Sequence, residues 1–556
     1  MLFRPCVHAL CVVSKGAAWQ RVKMSPENLF RAPNSQGEHM YYNAALVLLF
    51  LFDICLAIYV LRTRCRRKVT SCADQAESKS GTGSSVSPGC KPEFFVKPYI
   101  QLGTAPGERG DESLEIRWFA ESLPGDRWTV EIRLSKTLRG YFKRFFLEPH
   151  QNAVSFLEHD QAPLVEQTQF HCVVQDLLPG EQIEYDIIKN GGLVFSSYTT
   201  ARKSASQPYR FVTVGDMGEA KPEQAKIAYQ ISRVSPDFLA MPGDIAYKRG
   251  RVSEYLLKYF PFFNAERSSP LLGASLLRSI PSFACLGNHD YGRPDLIDVP
   301  DLDDFSDLFG YFIFWSQPMN GPDDALADQI SQKLIGDKSH QERFLKAAQG
   351  RYPRMANFSY DYGNSHWLIL DGNSNVDWTN EELLEWVRKD LSTSTATWKI
   401  VMFHQPPFTS HNKHGKEQRM RLLTGILQEC GVNIVFNGHA HLYERSYPLK
   451  FTVTPKADGS LIGADGSVDG TWQLDRKFDG VTFTKPDGVI YIVTGAGGAK
   501  LQEQHLPASE SGWLESTARH AGDLHSFTVC DVNGETLILR QISLEGEVLE
   551  KLVITK

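Results

Sequence analysis

None of the ten cysteines stands in a Cys-x-x-Cys pair, which argues against a zinc knuckle and a thioredoxin-like redox site. They are scattered at Cys6, Cys11, Cys55, Cys65, Cys72, Cys90, Cys172, Cys285, Cys430 and Cys530. Cys72 and Cys90 are placed to pair in an oxidising compartment, and unpaired thiols are the expectation elsewhere. Basic charge is not in excess either. Lys and Arg number 59 against 65 Asp and Glu, a net charge of −6, so the basic footprint of a nucleic-acid binder is missing and no nucleic-acid partner is expected. The Gly-rich run Thr494-Gly-Ala-Gly-Gly-Ala-Lys500 lacks the Gly-x-x-x-x-Gly-Lys-Ser/Thr order of a nucleotide loop. It reads as a tight turn after a strand. Asn357-Phe-Ser is a lone glycosylation sequon, which matters only on a secretory route.

What is present is a long chain of ordinary globular composition. Its 556 residues, 42% hydrophobic and 22% charged, exceed one core and predict two to four domains. After an N-terminal tail, 1–42, residues 43–61 form an almost continuous apolar run long enough to cross a bilayer. Asp53 interrupts it at a cost of about 2.5–3.5 kcal/mol, whereas each Leu, Ile, Phe or Val returns about 0.3–0.6 kcal/mol. Twelve such residues between Leu46 and Leu61 outweigh it at roughly 4–7 kcal/mol. No amphipathic stripe is visible, so a transmembrane helix or signal-anchor is predicted, with no small-residue cleavage site. Arg62, Arg64, Arg66, Arg67 and Lys68 follow directly and by the positive-inside rule place what comes next on the cytoplasmic side. Residues 62–92 read as a linker, basic at first and then rich in Ser and Gly.

From 93 to 203 apolar and polar residues alternate in short runs. Ser113–Ala120, Trp128–Leu134, Gln169–Val174 and Ile183–Ile188 are predicted strands of an all-β sandwich of the fibronectin III or immunoglobulin kind. The corner motif Leu177-Leu178-Pro179-Gly180 is followed by Ile183 where a corner tyrosine is expected, with Tyr185 two places on. From 207 to 556 the pattern changes to α/β. Pro222–Val234, Glu381–Leu391 and Lys416–Cys430 read as helices, and Val489–Thr494, Ser526–Val532 and Thr536–Ile542 as late strands. Phe211–Met241 makes a βαβ unit. Two stretches stand apart: 293–349, whose aromatic segment Leu308–Trp315 reads as buried packing or as a pocket wall, and the Gly- and Asp-rich 451–488.

The chemistry lies in seven potential metal ligands carried by short signatures. Asp216 stands in Val-Gly-Asp-Met-Gly, Asp244 and Tyr247 in Gly-Asp-Ile-Ala-Tyr, Asn288 in Gly-Asn-His-Asp, His404 in Met-Phe-His-Gln, and His439 with His441 in Gly-His-Ala-His. The apolar runs Phe211–Val214, Phe238–Met241, Ile400–Phe403 and Ile434–Phe436 precede four of them, placing the donors just past strand C-termini, where open α/β sheets bind ligands. With Asp244 shared, seven donors make two four-ligand sites. Asp216, Asp244, Tyr247 and His441 offer up to three anionic oxygens. A free tyrosine titrates near pH ~10, so a bound phenolate calls for a hard, highly charged cation such as Fe(III). Asp244, Asn288, His404 and His439 suit a divalent ion: zinc, iron or manganese.

These signatures, extended at the last to Gly-His-Ala-His-Leu-Tyr-Glu-Arg, resemble the five metal motifs of the purple acid phosphatases of the plant-like, large type, within the calcineurin-like metallophosphoesterases. Phe358–Asp371 and Val489–Gly498 are similar to further strands of that family, and the likeness spans roughly 93–556. The resemblance implies an αββα catalytic sandwich behind a β-sandwich, an Fe(III)–M(II) pair bridged by Asp244, and attack of a metal-held hydroxide on a small phosphate monoester. It implies that His289 binds the phosphoryl group and that His414 protonates the leaving group, with His411 as a second choice. A phosphodiesterase or nucleotide hydrolase on the same site is the alternative, and an inactive membrane-tethered binding module the alternative of another class. The resemblance also implies a secreted or extracytoplasmic catalytic part, against the basic flank. Oligomeric state is not legible.

Overall fold

Four-residue runs such as Phe238–Met241 have no polar side to turn to water, so they require a sheet covered on both faces. The computed structural model, which describes residues 93–105, 112–157, 164–292, 300–502 and 512–556, supplies that arrangement. Strands Tyr209–Thr213, Phe238–Met241 and Ser282–Ala284 pair in parallel, with Leu239 opposite both Val212 and Ser282. Ser526–Asn533 joins Tyr209–Thr213 antiparallel, followed outward by Thr536–Ser543 and Val548–Thr555. A second sheet sets Ser365–Ile369, Trp398–Met402, Ile434–Asn437 and Ile490–Thr494 in parallel, flanked by Phe358–Tyr362 on one side and Tyr443–Ser446 with Thr517–Ala521 on the other.

The two sheets face each other across one aromatic core. Phe211 and Phe283 of the first sheet meet Trp367 of the second edge-on, with ring centroids 5.0 and 5.3 Å apart. Outside, helix Pro222–Val234 packs Ile227, Ala228 and Ile231 against Val212 and Leu239. Helix Glu381–Thr393 covers the other sheet with Leu383, Val387 and Leu391. Pro at its first turn and the Asn380 side chain accepting from Leu383 N start these two helices respectively. The order helix, sheet, sheet, helix is the αββα sandwich that the resemblance implies.

Ahead of it, two further groups of strands enclose their own core. Val96–Gln101, Glu112–Ala120, Leu164–Leu177 and His150–Leu157 face Lys143–Leu147, Trp128–Leu134, Gln182–Lys189 and Gly192–Thr200. Trp118 stacks on Phe170 at 4.9 Å between them, and Trp128 meets the same ring. Gln101 pairs with Ser282, which joins the first of these sheets to the first catalytic sheet. Tyr185 stands two places past the corner position, and its hydroxyl donates across to the Arg278 carbonyl at 2.7 Å. The tyrosine therefore fastens this β-rich region to the catalytic one.

Two expectations need amendment, and a third is decided in favour of buried packing. Lys416–Cys430 is no single helix: a 3-10 turn, Arg419–Leu423, leads into a short α-helix, Thr424–Glu429. Glu417 is bound to His414 and His439, and the Thr424 hydroxyl bonds the Arg421 carbonyl, so local side-chain bonds displace the regular ladder. The chain also closes on an additional strand, Val548–Thr555. The aromatic segment is a buried turn of helix, Gly310–Phe314, with the Tyr311 hydroxyl on the Ala284 carbonyl at 2.8 Å, so it packs the core. The predicted membrane span at 43–61 lies outside the described residues, as do Cys72 and Cys90. Among the described residues no helix is long and apolar enough to cross a membrane, and Cys172, Cys285, Cys430 and Cys530 are free.

Candidate metal centre

All seven predicted ligands lie on loops that leave the C-terminal ends of five parallel strands. Four of these strands follow the apolar runs of the sequence. The fifth, Ser282–Ala284, leads to Asn288 and is too short to show a pattern. Asp216, Asp244 and His439 adopt left-handed backbone conformations, with φ of 57°, 53° and 69°. Each costs about 1–2 kcal/mol in a residue with a Cβ, a strain that the surrounding sheet ends hold in place. The neighbouring glycines admit this crowding. A Cβ at Gly287 would overlap the Asp244 carboxylate, and one at Gly438 would stand 2.5 Å from Asp216 Oδ2.

The donors converge as two groups joined at Asp244. Asp244, His404 and His439 bring one ligand atom each within 4.8 Å of one another, and so do Asp216, Asp244 and His441. His404 Nε2 lies 3.3 Å from Asp244 Oδ2, 3.2 Å from Asn288 Oδ1 and 3.2 Å from His439 Nδ1. Tyr247 Oη lies 3.0 Å from both Asp216 Oδ1 and His441 Nε2. The aspartates are buried, at 0% and 1% exposure.

The outer nitrogen of each imidazole is engaged by an acceptor. His404 Nδ1 donates to the Pro242 carbonyl at 2.7 Å, His441 Nδ1 to the Lys500 carbonyl at 2.6 Å, and His439 Nε2 to both Glu417 oxygens at 3.1 Å. With the proton held outside, each ring turns a lone pair inward, the tautomer a metal ligand requires. The donor set therefore fits a pair of cations.

The electrostatics point the same way. Burial disfavours a charged His404, yet the Asp244 carboxylate lifts its pKa to about 10, so the field at this point favours positive charge. Burial, and then Asp216 and Asp244, push the Tyr247 phenol well above its usual range. Only a strong cation at its oxygen reverses that.

Around these ligands the predicted catalytic histidines take different positions. His289 is bound through its backbone N to Asp244 Oδ1 at 2.9 Å, and its Nδ1 meets the Lys248 carbonyl at 2.7 Å. It lines a cleft of about 750 Å³ together with Tyr247, His411 and His441. His414 is not among the lining residues. Its ring sits 3.9 Å from that of His439, with Nδ1 3.1 Å from Glu417 Oε1. Nε2 of both His411 and His414 is buried without a hydrogen-bond partner. Burial, reinforced by His414, drives the His411 pKa down to about 3.

Two functional residues escaped the sequence reading. Glu417 ties His439 to His414, and those imidazoles hold its carboxyl well below the usual range although burial opposes this. Its spacing of three from His414 was the available signal. Asp290, inside Gly-Asn-His-Asp, accepts from Ile245 N and Gly287 N at 3.1 Å and from the Tyr255 hydroxyl at 3.2 Å. It binds the Asp244 loop to the Asn288 loop. Burial and the Asp244 charge push its pKa up to about 7.

Residues 209–443 match the family model of the calcineurin-like phosphoesterases. The chain is similar to Purple acid phosphatase 23 of Arabidopsis thaliana, 24% identical over 47% of this chain and 53% of that protein. It is also similar to a protein of the same plant named Probable inactive purple acid phosphatase 9, 21% identical over 66% of this chain and 57% of that protein. The chain thus spans little more than half the length of either relative. A purple acid phosphatase from yellow lupin seeds shares the fold, with a TM-score of 0.55 at 17% identity, covering 83% of this chain and 74% of the lupin chain. Residues 209–443 are therefore a calcineurin-like phosphoesterase domain, in a chain whose relatives and fold are those of purple acid phosphatases.

Proposed function

We propose that the protein is an acid phosphatase that hydrolyses phosphate monoesters at a binuclear Fe(III)–M(II) centre, with zinc, iron or manganese as the divalent ion. The observation that carries this reading is the pair of ligand groups meeting at Asp244. Asp216, Asp244, Tyr247 and His441 would hold the trivalent ion, and Asp244, Asn288, His404 and His439 the divalent one. Such a pair supplies Lewis acidity, an activated water and a clamp on the attacking and leaving oxygens. In the reaction, oxygen from water bonds to phosphorus, the ester P–O bond breaks, and the alcohol leaves with a proton as inorganic phosphate is released.

The chain's own groups bind and protonate. His289, held by the Lys248 carbonyl and with Nε2 3.8 Å from Asp244 Oδ2, would bind the phosphoryl group. His411 or His414, in protonated form, would give the leaving oxygen its proton, a role worth about 10²–10⁴-fold in rate. His411 lines the cleft, and His414, which does not, stacks on it with ring centroids 4.5 Å apart. Comparing His411→Ala and His414→Ala on phosphates with good and poor leaving groups separates them, because only loss of the acid penalises poor leaving groups selectively.

The decisive experiment combines metal analysis, visible absorption and turnover. The expectation is two ions per chain, a tyrosinate charge-transfer band lost in Tyr247→Phe, and faster hydrolysis of an aryl monoester than of the corresponding diester. Faster diester hydrolysis would make the protein a phosphodiesterase. The likeness to a relative named as probably inactive supports the binding-module reading, and the complete ligand set opposes it. Fewer than two bound ions would favour that reading.

A further inference from the structure

Between Ser135 and Leu147, in the β-rich region ahead of the catalytic domain, the chain carries four basic residues, no acidic one, and four aromatic rings within the six positions Tyr141–Phe146. Of the six exposed Phe and Tyr side chains among the described residues, three are Tyr141, Phe142 and Phe146, at 58%, 58% and 55%. Leu138 in the same segment is exposed, and so is Leu178. Single exposed apolar residues are ordinary, whereas a cluster of them marks a contact surface.

The local structure holds these side chains outward. Lys143–Leu147 is the edge strand of its sheet. Phe145 and Leu147 pack on the sandwich core, so the alternation of the strand turns Arg144 and Phe146 away from it. The Arg144 guanidinium lies over the Phe146 ring, 5.3 Å from its centroid. Ahead of the strand, Arg139 grips Glu181 through Nε at 2.5 Å and Nη2 at 2.7 Å, and the same carboxylate accepts from Leu178 N at 3.0 Å. Such a two-pronged charged contact fixes the turn that carries Leu138, Tyr141 and Phe142.

Charge selects the occupant. Arg139 and Arg144 are paired with Glu181 and Glu131, while Lys143 has no carboxylate partner among the described residues. Rings interleaved with Lys and Arg suit the bilayer interface, where aromatic side chains sit at headgroup level and long basic ones reach lipid phosphates. A second copy of the chain would bring the same basic edge against itself, and basic edge strands resist such pairing. The apolar run 43–61, which the sequence predicts to span a bilayer, gives this chain a membrane to meet.

We infer that Leu138, Tyr141, Phe142 and Phe146 form an interfacial contact by which the β-rich region docks on an anionic lipid bilayer, with Lys143 and Arg144 reaching the lipid phosphates. The contact is distinct from the predicted span and from the metal centre, and it would hold one face of the tethered region against the membrane.

The full-length chain in lipid vesicles tests this, with a photoreactive side chain introduced as Phe142→p-benzoylphenylalanine. Val481→p-benzoylphenylalanine is the control, since Val481 is 77% exposed in a turn bonded to the edge strand Val548–Thr555 of the other end of the protein's largest sheet. In vesicles of phosphatidylcholine with phosphatidylserine, illumination is expected to attach lipid at position 142 and not at 481. Omitting phosphatidylserine, or adding Lys143→Glu, should lower the adduct at 142 at least ~5-fold, the worth of one basic residue near an anionic surface. Tyr141→Ser beside the probe should lower it too, while hydrolysis of a soluble aryl phosphate stays as in the wild type. Flotation of the vesicles, scored on the same samples, reports on the predicted span separately. Absence of a lipid adduct at 142, with or without flotation, or equal adducts at 142 and 481, would overturn the inference. A crosslink from 142 to a second copy of the chain in place of lipid would overturn the choice of a bilayer.

Discussion

Glu417 shows how one carboxylate outside the ligand set shapes the centre. Its two oxygens hold His439 Nε2 at 3.1 Å, and one also meets His414 Nδ1. Removing such an outer partner of a ligating histidine costs about 10–100-fold in metal affinity. Glu417→Gln keeps the shape but loses the charge, so weaker retention of the ion at His439 is expected against a competing chelator. Unchanged retention would show that the pairing is structural only. A different pair of carboxylates governs His366, far from the metal ligands in sequence. Asp361 Oδ1 and Asp390 Oδ2 approach its ring nitrogens at 2.7 and 2.8 Å. Burial alone would lower the imidazole pKa, but these two partners raise it to about 9. A group whose folded pKa is raised contributes stability in full below its unfolded value, ~6.5, and loses it as pH climbs through the folded value. Thermal unfolding is therefore expected to fall between pH 6.5 and 9.5 more steeply in the wild type than in His366→Gln. Equal slopes would show that the imidazolium adds no net stability.

At the level of strands and helices, the aromatic layer between the sheets is what aligns the ligand-bearing loops. Phe238 lies fully buried between Phe211, Phe283 and Trp367, one strand-length from Asp244. Phe238→Ala is expected to cost about 3–5 kcal/mol, from lost burial and the cavity left behind, measurable as a drop in the denaturation midpoint. A cost below ~1 kcal/mol would mean that the layer repacks freely. These strands were legible because two-sided burial leaves an unbroken apolar run, and helix Pro222–Val234 because its proline and its periodic apolar face agree. Ser282–Ala284 was not legible, since three residues set no period, although it supports Asn288. Lys416–Cys430 misled for the opposite reason: helical spacing is present, but Glu417 is drawn to His439 and breaks the ladder. The seven candidate ligands, which the structure brings together, were legible by residue type and order alone. Asp290 was hidden in a quoted motif because its work is to hold backbone N–H groups, which leaves no chemical signature in sequence.

Across the whole molecule, the centre is also a clamp. Asp216, Asp244 and Asn288 hang from the first sheet and His404, His439 and His441 from the second, so ions held by them would join the two halves of the sandwich directly. The unfolded chain cannot hold these donors together, and a ligand that binds only the folded state stabilises it by about 2.7 kcal/mol at a hundredfold excess over Kd. Chelation is therefore expected to lower the unfolding temperature, and restoring iron with zinc or manganese to recover it. Asp244→Asn should diminish this metal-dependent shift more than Asn288→Ala, because Asp244 belongs to both ligand groups and Asn288 to one. Differential scanning calorimetry of the wild type and both variants, each with and without chelator, reads all six states. If the wild type melts at the same temperature with and without metal, the ions do not bridge the sheets, and the fold holds its strained Asp216, Asp244 and His439 backbones by packing alone.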